Sequence, residues 1–178
     1  MAQPLPRLQR AMAKLVASKA RVAIAESSAG GLIAASLLAQ PGASKYFAGG
    51  VVCYTKTAKQ NFLGLEAEKT KPTSTEPHAV ELAKAAREAL NCDWGVGETG
   101  VAGPSPNSRG ISPGVCALAV VGPNNFVLRT TLFPDETLSA ADAYGQPPKV
   151  PREEAMKTFG AAAIELLCDA VEKAHPEG

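Results

Sequence analysis

Between Arg21 and Ala39 the chain passes from a β-type run through a glycine pair into an apolar helical stretch, and this succession restricts the fold more than any other feature. Arg21 to Ala25 (RVAIA) reads as a short buried strand; Gly30-Gly31 opens a turn, and LIAASLLA reads as a helix that stops near Pro41-Gly42. The alternation then repeats. Phe47 to Tyr54 (FAGGVVCY) reads as a strand with a Gly-Gly bulge or bend, and Ala58 to Leu63 as a short helix. Glu76 to Leu90 is helical in pattern, with Pro77 in its first turn and Ala79, Leu82, Ala83, Ala86 and Leu90 on one face. Trp94 to Thr99 and Val115 to Val121 read as interior strands, and Phe126 to Phe133 as a further strand able to run antiparallel. Arg152 to Ala174 reads as a terminal amphipathic helix burying Ala155, Phe159, Ala162, Leu166, Ala170 and Val171. This order predicts an α/β fold: a three-layer α/β/α sandwich with a mostly parallel mixed sheet.

A length of 178 residues fits one domain, 1–178, with a core that needs neither disulfide nor structural metal. Pro134, Gly145, Pro147, Pro148 and Pro151 make 134–151 a long loop inside that domain. The formal net charge of +1 gives no field that selects nucleic acid or an anionic membrane. No apolar run reaches the ~20 residues of a membrane helix, because Glu165, Asp169 and Glu172 interrupt the Ala-rich tail. Cys53, Cys92, Cys116 and Cys168 form no Cys-x-x-Cys pair and read as reduced thiols in a cytosol. His78 and His175 have no second ligand at metal spacing, so a His-held catalytic metal is not expected, and no cofactor motif is present. Arg7, Arg10, Lys14, Lys19 and Arg21 without any acid among them resemble an organelle transit peptide. A structural first helix accounts for the same residues, since Leu5, Leu8, Met12, Leu15 and Val16 follow helical spacing.

Three strand ends carry the candidate chemistry. Glu26-Ser27-Ser28-Ala29-Gly30-Gly31 places two hydroxyls after a strand and before a helix, where open α/β sheets bind ligands. Gly30 and Gly31 allow backbone N–H groups to face an anion or a developing oxyanion. Either Ser27 attacks a carbonyl, or both serines only cap the helix. Tyr54-Thr55-Lys56-Thr57-Ala58-Lys59 leaves the next strand on the same rim. With so few histidines, lysine and tyrosine are the available bases, and Lys59 can serve once burial or neighbouring charge lowers its pKa from ~10.4. The alternative is an exposed lysine on a surface helix. Thr99-Gly100-Val101-Ala102-Gly103-Pro104 forms a third turn, either a close backbone approach to ligand or an ordinary tight turn.

Taken in order and spacing, AESSAGG, GASKYFAGGVVCYTKTAKQNFLGL and TGVAGP closely resemble the CinA carboxy-terminal domain family, from about Leu5 to the final helix. The family pattern is Glu-Ser-Cys-Thr-Gly-Gly, then Gly-Gly-Val-Val-x-Tyr-Ser-Asn-x-x-Lys, then Thr-Gly-Ile-Ala-Gly-Pro. The resemblance implies a cytoplasmic nicotinamide mononucleotide deamidase of the stand-alone form, without cofactor, acting on a pyridine mononucleotide; a homo-oligomer is expected. It carries the nucleophile to Ser27, with Tyr54 and Lys59 as further catalytic residues. It points to Ser28, Gly30, Gly31, Thr99, Gly100 and Arg152 for substrate binding. The chain departs from the pattern at Ser28 for Cys, Ala29 for Thr and Lys56 for Asn. Loss of the Thr hydroxyl at Ala29 would remove a ligand hydrogen bond, and Lys56 would add charge beside the base. A different amide substrate, or a regulatory nucleotide-binding module without turnover, are the alternatives.

Overall fold

The computed structural model describes residues 6–66, 68–134 and 151–175. Among the described residues five α-helices and five strands follow in chain order, with a short 3-10 turn at Ala43–Lys45 before the second strand: α1 Pro6–Ala17, β1 Val22–Glu26, α2 Leu32–Leu38, β2 Phe47–Val52, α3 Lys56–Leu63, α4 Glu76–Ala89, β3 Trp94–Gly100, β4 Cys116–Val121, β5 Val127–Leu132 and α5 Arg152–Ala174. The sheet order is β2-β1-β3-β4-β5. β1 lies parallel to both β2 and β3, while β4 runs antiparallel to β3 and β5, so four strands point one way and β4 opposes them. The expected bulge in the second strand lies at its start: the register shifts between Val22/Ala23, opposite Phe47 and Gly49. Most of the long loop expected over 134–151 lies outside the described residues, as does Leu5.

Period-2 alternation gives the sheet two unlike faces. Val22, Ile24, Trp94, Val96, Leu118 and Val120 turn towards α1, α2 and α5, where Phe159, Leu15, Ile33 and Leu167 complete a large-residue core. The other face is made of small residues. Ala23, Ala25, Ala117 and Ala119 meet Ala79, Ala83, Leu82 and Ala86 of α4. At the centre β3 offers no side chain: a Cβ on Gly95 or Gly97 would stand 2.0 Å from the carbonyl oxygen of Ala83 or Ala79. α4 therefore rests on the backbone of β3, and its distance from the sheet is fixed by main chain.

Three expected inward positions differ, Ala162 of α5 being only half-buried. Leu90 is exposed because the helix ends at Ala89 and Leu90 is its cap, and Val16 sits on the outer flank of α1. The remaining α1 positions do face inward: Leu8, Met12 and Leu15 are buried against the α5 side. Arg7 fastens the pair, donating to Glu165 at 2.6 Å and to Glu172 at 2.7 Å, with Asp169 also in contact. No described helix is long and apolar enough to cross a membrane.

Candidate active site

Because β1, β2 and β3 are parallel, Glu26, Val52 and Gly100 end on one edge, and the three turns singled out in the sequence meet there. The turn between β1 and α2 is buried apart from Gly30 and Gly31. Gly30 and Gly31 take positive φ values of 67° and 101°, which lets the chain enter α2 abruptly.

Two wholly buried carboxylates organise this turn. Glu26 reaches forward to the start of α2 and accepts from Gly31 N–H (2.9 Å), Ile33 N–H (3.1 Å) and Ala34 N–H (3.1 Å). Burial raises the Glu26 carboxyl above its ordinary value, while these three amides pull it back. Glu98, from β3, accepts from Ser27 N–H at 2.7 Å and Ala29 N–H at 2.9 Å, and from the Ser28 hydroxyl. Gly30 N–H donates to Ser27 O and Leu32 N–H to Ala29 O, both at 3.3 Å.

The expected anion-facing role of Gly30 and Gly31 thus meets a geometric obstacle, since both amides already have acceptors inside the protein. Among the described residues, every amide from Ser27 to Ala34 has an acceptor except Ser28 N–H. The Ser28 hydroxyl is committed to Glu98, whereas the Ser27 hydroxyl makes no hydrogen bond to a described residue. A free hydroxyl and the free amide of the next residue stand side by side, the pair that a strand–turn–helix nucleophile uses for attack and for its oxyanion.

Lys59 is buried on the inner side of α3, which starts at Lys56 because Thr55 caps it through Ala58 N–H at 3.1 Å. Burial lowers its pKa; the neighbouring Cys53 and Glu98 act to raise it. Cys53 is itself pushed up to about 11 by burial and stays a neutral thiol near neutral pH. The charges acting on Lys59 include that of Glu98, the group holding the Ser27 amide, which joins the lysine to the nucleophile turn. Lys56 is exposed and is not among the groups that move Lys59.

Tyr54 is separated from Lys59 in character. It is 58% exposed, and its hydroxyl accepts from Arg152 Nη2 at 3.2 Å. Arg152 also donates to Gly103 O at 2.6 Å, so one guanidinium spans the second and third turns. Met156, one turn further along α5, packs where a Cβ on Gly30 would stand, 2.6 Å from its methyl, and this sets the start of α5 against the first turn. Thr99 is buried and accepts from Ser74 N–H at 3.0 Å, tying the entry of α4 to β3. A Cβ on Gly100 would meet the Ser28 hydroxyl at 2.8 Å. Ala29 points into the apolar core with Ile33, so the methyl found there does not line the turn's open side.

Glu26 and Glu98 are the groups that sequence reasoning passed over. Glu98 carried a signal: in WGVGETG it falls on the alternation of Trp94 and Val96, and an acid on a core-facing position requires several donors. Concavities of ≈ 440, 150 and 640 Å³ elsewhere on the surface contain none of the site residues.

A family model described as CinA C-terminal domain matches residues 6–143. A CinA-like protein of Anaeromyxobacter dehalogenans is 44% identical over 115 residues, covering 64% of this chain and 28% of its own length. A CinA-like protein of Parasynechococcus marenigrum is 35% identical over 126 residues, 70% of this chain and 30% of its own. The chain therefore spans under a third of these relatives. In three dimensions it is similar to the competence/damage inducible protein CihA of Agrobacterium tumefaciens, with a TM-score of 0.74 at 24% identity over 96% of this chain and 99% of that one. A competence-damaged protein (CinA) superfamily protein of Enterobacter cloacae gives 0.77 at 19% identity over 96% and 95%. At such identities these two establish the fold.

Proposed function

As the chain belongs to the CinA C-terminal domain family, we propose that it is an amidohydrolase converting nicotinamide mononucleotide to nicotinate mononucleotide and ammonia. The pyridine nucleotide comes from the family resemblance; the reaction type is supported by one observation. In a buried turn whose amides are otherwise all accepted, the Ser27 hydroxyl and the Ser28 N–H have no partner among the described residues, and Glu98, which holds that turn, also acts on Lys59, a buried lysine of lowered pKa. Ser27 Oγ attacks the carboxamide carbon and its proton passes to Lys59 Nζ. The oxyanion takes the Ser28 N–H, a donor of a kind worth ~3 kcal/mol to the transition state. The C–N bond breaks as Lys59 returns the proton to the leaving nitrogen. Water, deprotonated by Lys59, then hydrolyses the acyl ester.

Within this reading the exposed Tyr54 and Arg152 stand at the mouth, where the guanidinium suits a ribose phosphate. Proton abstraction falls to Lys59, which is buried, rather than to Tyr54, which is not. Thr99 keeps its hydroxyl proton available while accepting from Ser74. Ammonia release from nicotinamide mononucleotide, measured beside nicotinamide riboside and simple amides, tests the proposal. Turnover restricted to the phosphorylated nucleotide is expected. Equal turnover of unphosphorylated amides would overturn the substrate, and none with any amide would overturn the reaction.

A further inference from the structure

We propose that Glu98 is the positioning residue of the nucleophile turn: from the adjacent strand it holds the Ser27 and Ala29 amides and the Ser28 hydroxyl, so that Ser27 Oγ and Ser28 N–H remain to meet a substrate. The inference rests on Ser27 being the nucleophile.

A single carboxylate takes four donors. Oε2 accepts from Ser27 N–H at 2.7 Å and Ala29 N–H at 2.9 Å; Oε1 accepts from the Ser28 hydroxyl and from Cys116 Sγ at 3.4 Å. The amides on either side of Ser28 N–H are anchored to one oxygen, which holds the backbone around it, while the Ser28 N–H itself makes no bond to Glu98. Glu26 meanwhile accepts the amides at 31, 33 and 34. The two carboxylates thus divide the turn, Glu26 serving the helix and Glu98 serving the serines. An apolar residue in place of Glu98 would leave two buried amides without acceptors. Gly100 completes the arrangement, since any larger residue would collide with the Ser28 hydroxyl.

Substitution separates geometry from charge. Glu98→Gln keeps an oxygen for both amides, and its NH₂ meets a reoriented Ser28 hydroxyl; Glu98→Ala removes both functions. Three ionisable groups act on or with Lys59: Cys53 after β2, His78 on α4 and Glu98 on β3. Of these, Glu98→Gln removes only the negative charge that raises Lys59, so the acid limb of the rate, which requires neutral Lys59, moves to lower pH.

The experiment combines ammonia release from nicotinamide mononucleotide across about pH 6 to 10, labelling of Ser27 by a fluorophosphonate, and amide hydrogen exchange. Glu98→Ala is expected to lose about 10²-fold in kcat with little change in KM, the scale of a small misplacement of a reacting group. It should also lose exchange protection at Ser27 and Ala29. Glu98→Gln should keep kcat within a few-fold and shift the acid limb downward. Wild-type kcat in Glu98→Ala, unchanged exchange at those amides, or a coincident pH profile in Glu98→Gln would each overturn the proposal. A wild-type protein that releases no ammonia and takes no label would end the nucleophile reading instead, while exchange at Ser27 and Ala29 still decides whether Glu98 holds the turn.

Discussion

Between β1 and α2 the chain turns inside the protein, with Ser27, Ser28 and Ala29 buried and two carboxylates accepting its amides. Between β2 and α3 it turns on the surface, where Tyr54, Thr55 and Lys56 are exposed and a single threonine cap starts the helix. Both are strand–turn–helix corners on the same edge of the same sheet. The first gains a backbone held by hydrogen bonds at the cost of burying charge, which suits a nucleophile that must be placed within a fraction of an ångström. The second leaves its tip exposed and buries only its flanks, Cys53 just after β2 and Lys59 a helical turn inside α3. The difference teaches that one edge can combine a rigid nucleophile with a mouth that accommodates ligand.

The largest expected effect breaks the rigid side. Ser27→Ala should lower ammonia release by at least ~10³-fold with ligand affinity and thermal midpoint nearly unchanged, because one uncommitted hydroxyl is removed. Near wild-type turnover would transfer the chemistry elsewhere. Next, Lys59→Arg keeps the charge and loses the base, so single-turnover rates should fall by about 10²–10⁴-fold while nucleotide still binds. In the wild type the rate should rise with pH through an ionisation below ~10.4; the variant should lack that limb. Retained turnover with the same pH profile would remove Lys59 from the mechanism.

A smaller effect concerns stability. The folded-state pKa of Lys59 lies below its unfolded value, so the unfolded chain binds more protons and stability rises with pH from the depressed value up to ~10.4. Lys59→Met should therefore melt above the wild type at neutral pH, each tenfold depression being worth about 1.4 kcal/mol, and lose that advantage as the solution becomes alkaline. A gain independent of pH would show that the ammonium is not desolvated. The smallest effect tests the exposed tip. Tyr54→Phe deletes the acceptor of one exposed hydrogen bond, and KM should rise by about 2- to 10-fold with kcat preserved. A collapse of kcat instead would make Tyr54 the base.

Much of this architecture was legible from spacing alone. The strand at Arg21 to Ala25, the short helix through Ala58 to Leu63 and the long helix from Arg152 are signalled by periodicity and by Gly and Pro at element ends, whereas the Thr55 cap that starts the short helix two residues earlier, at Lys56, shows only in the fold. The convergence of three turns followed from parallel pairing. What spacing did not convey was how the turn's amides are used. Ser27 and Glu98 are 71 residues apart and meet only because β1 and β3 are neighbours, a choice no local pattern encodes. The same holds for Gly31, whose amide looked available until Glu26, five residues earlier, folded forward to accept it. Nor does spacing convey that Ala29, where the resemblance implies a Thr hydroxyl able to bond ligand, packs into the apolar core.

The clasp made by Arg7 sets a condition on the basic amino-terminal segment. If a protease cut the chain after Lys19, α1 would depart with its guanidinium, and Glu165, Asp169 and Glu172 would be left as an unneutralised acidic trio on the flank of α5. Mutual repulsion along that helix, together with loss of the apolar cover from Leu8, Met12 and Leu15, would loosen the same α5 whose first turn brings Arg152 to Tyr54. For this fold a maturation cleavage there would be a mutilation, because the segment that resembles an address label is a beam of the building.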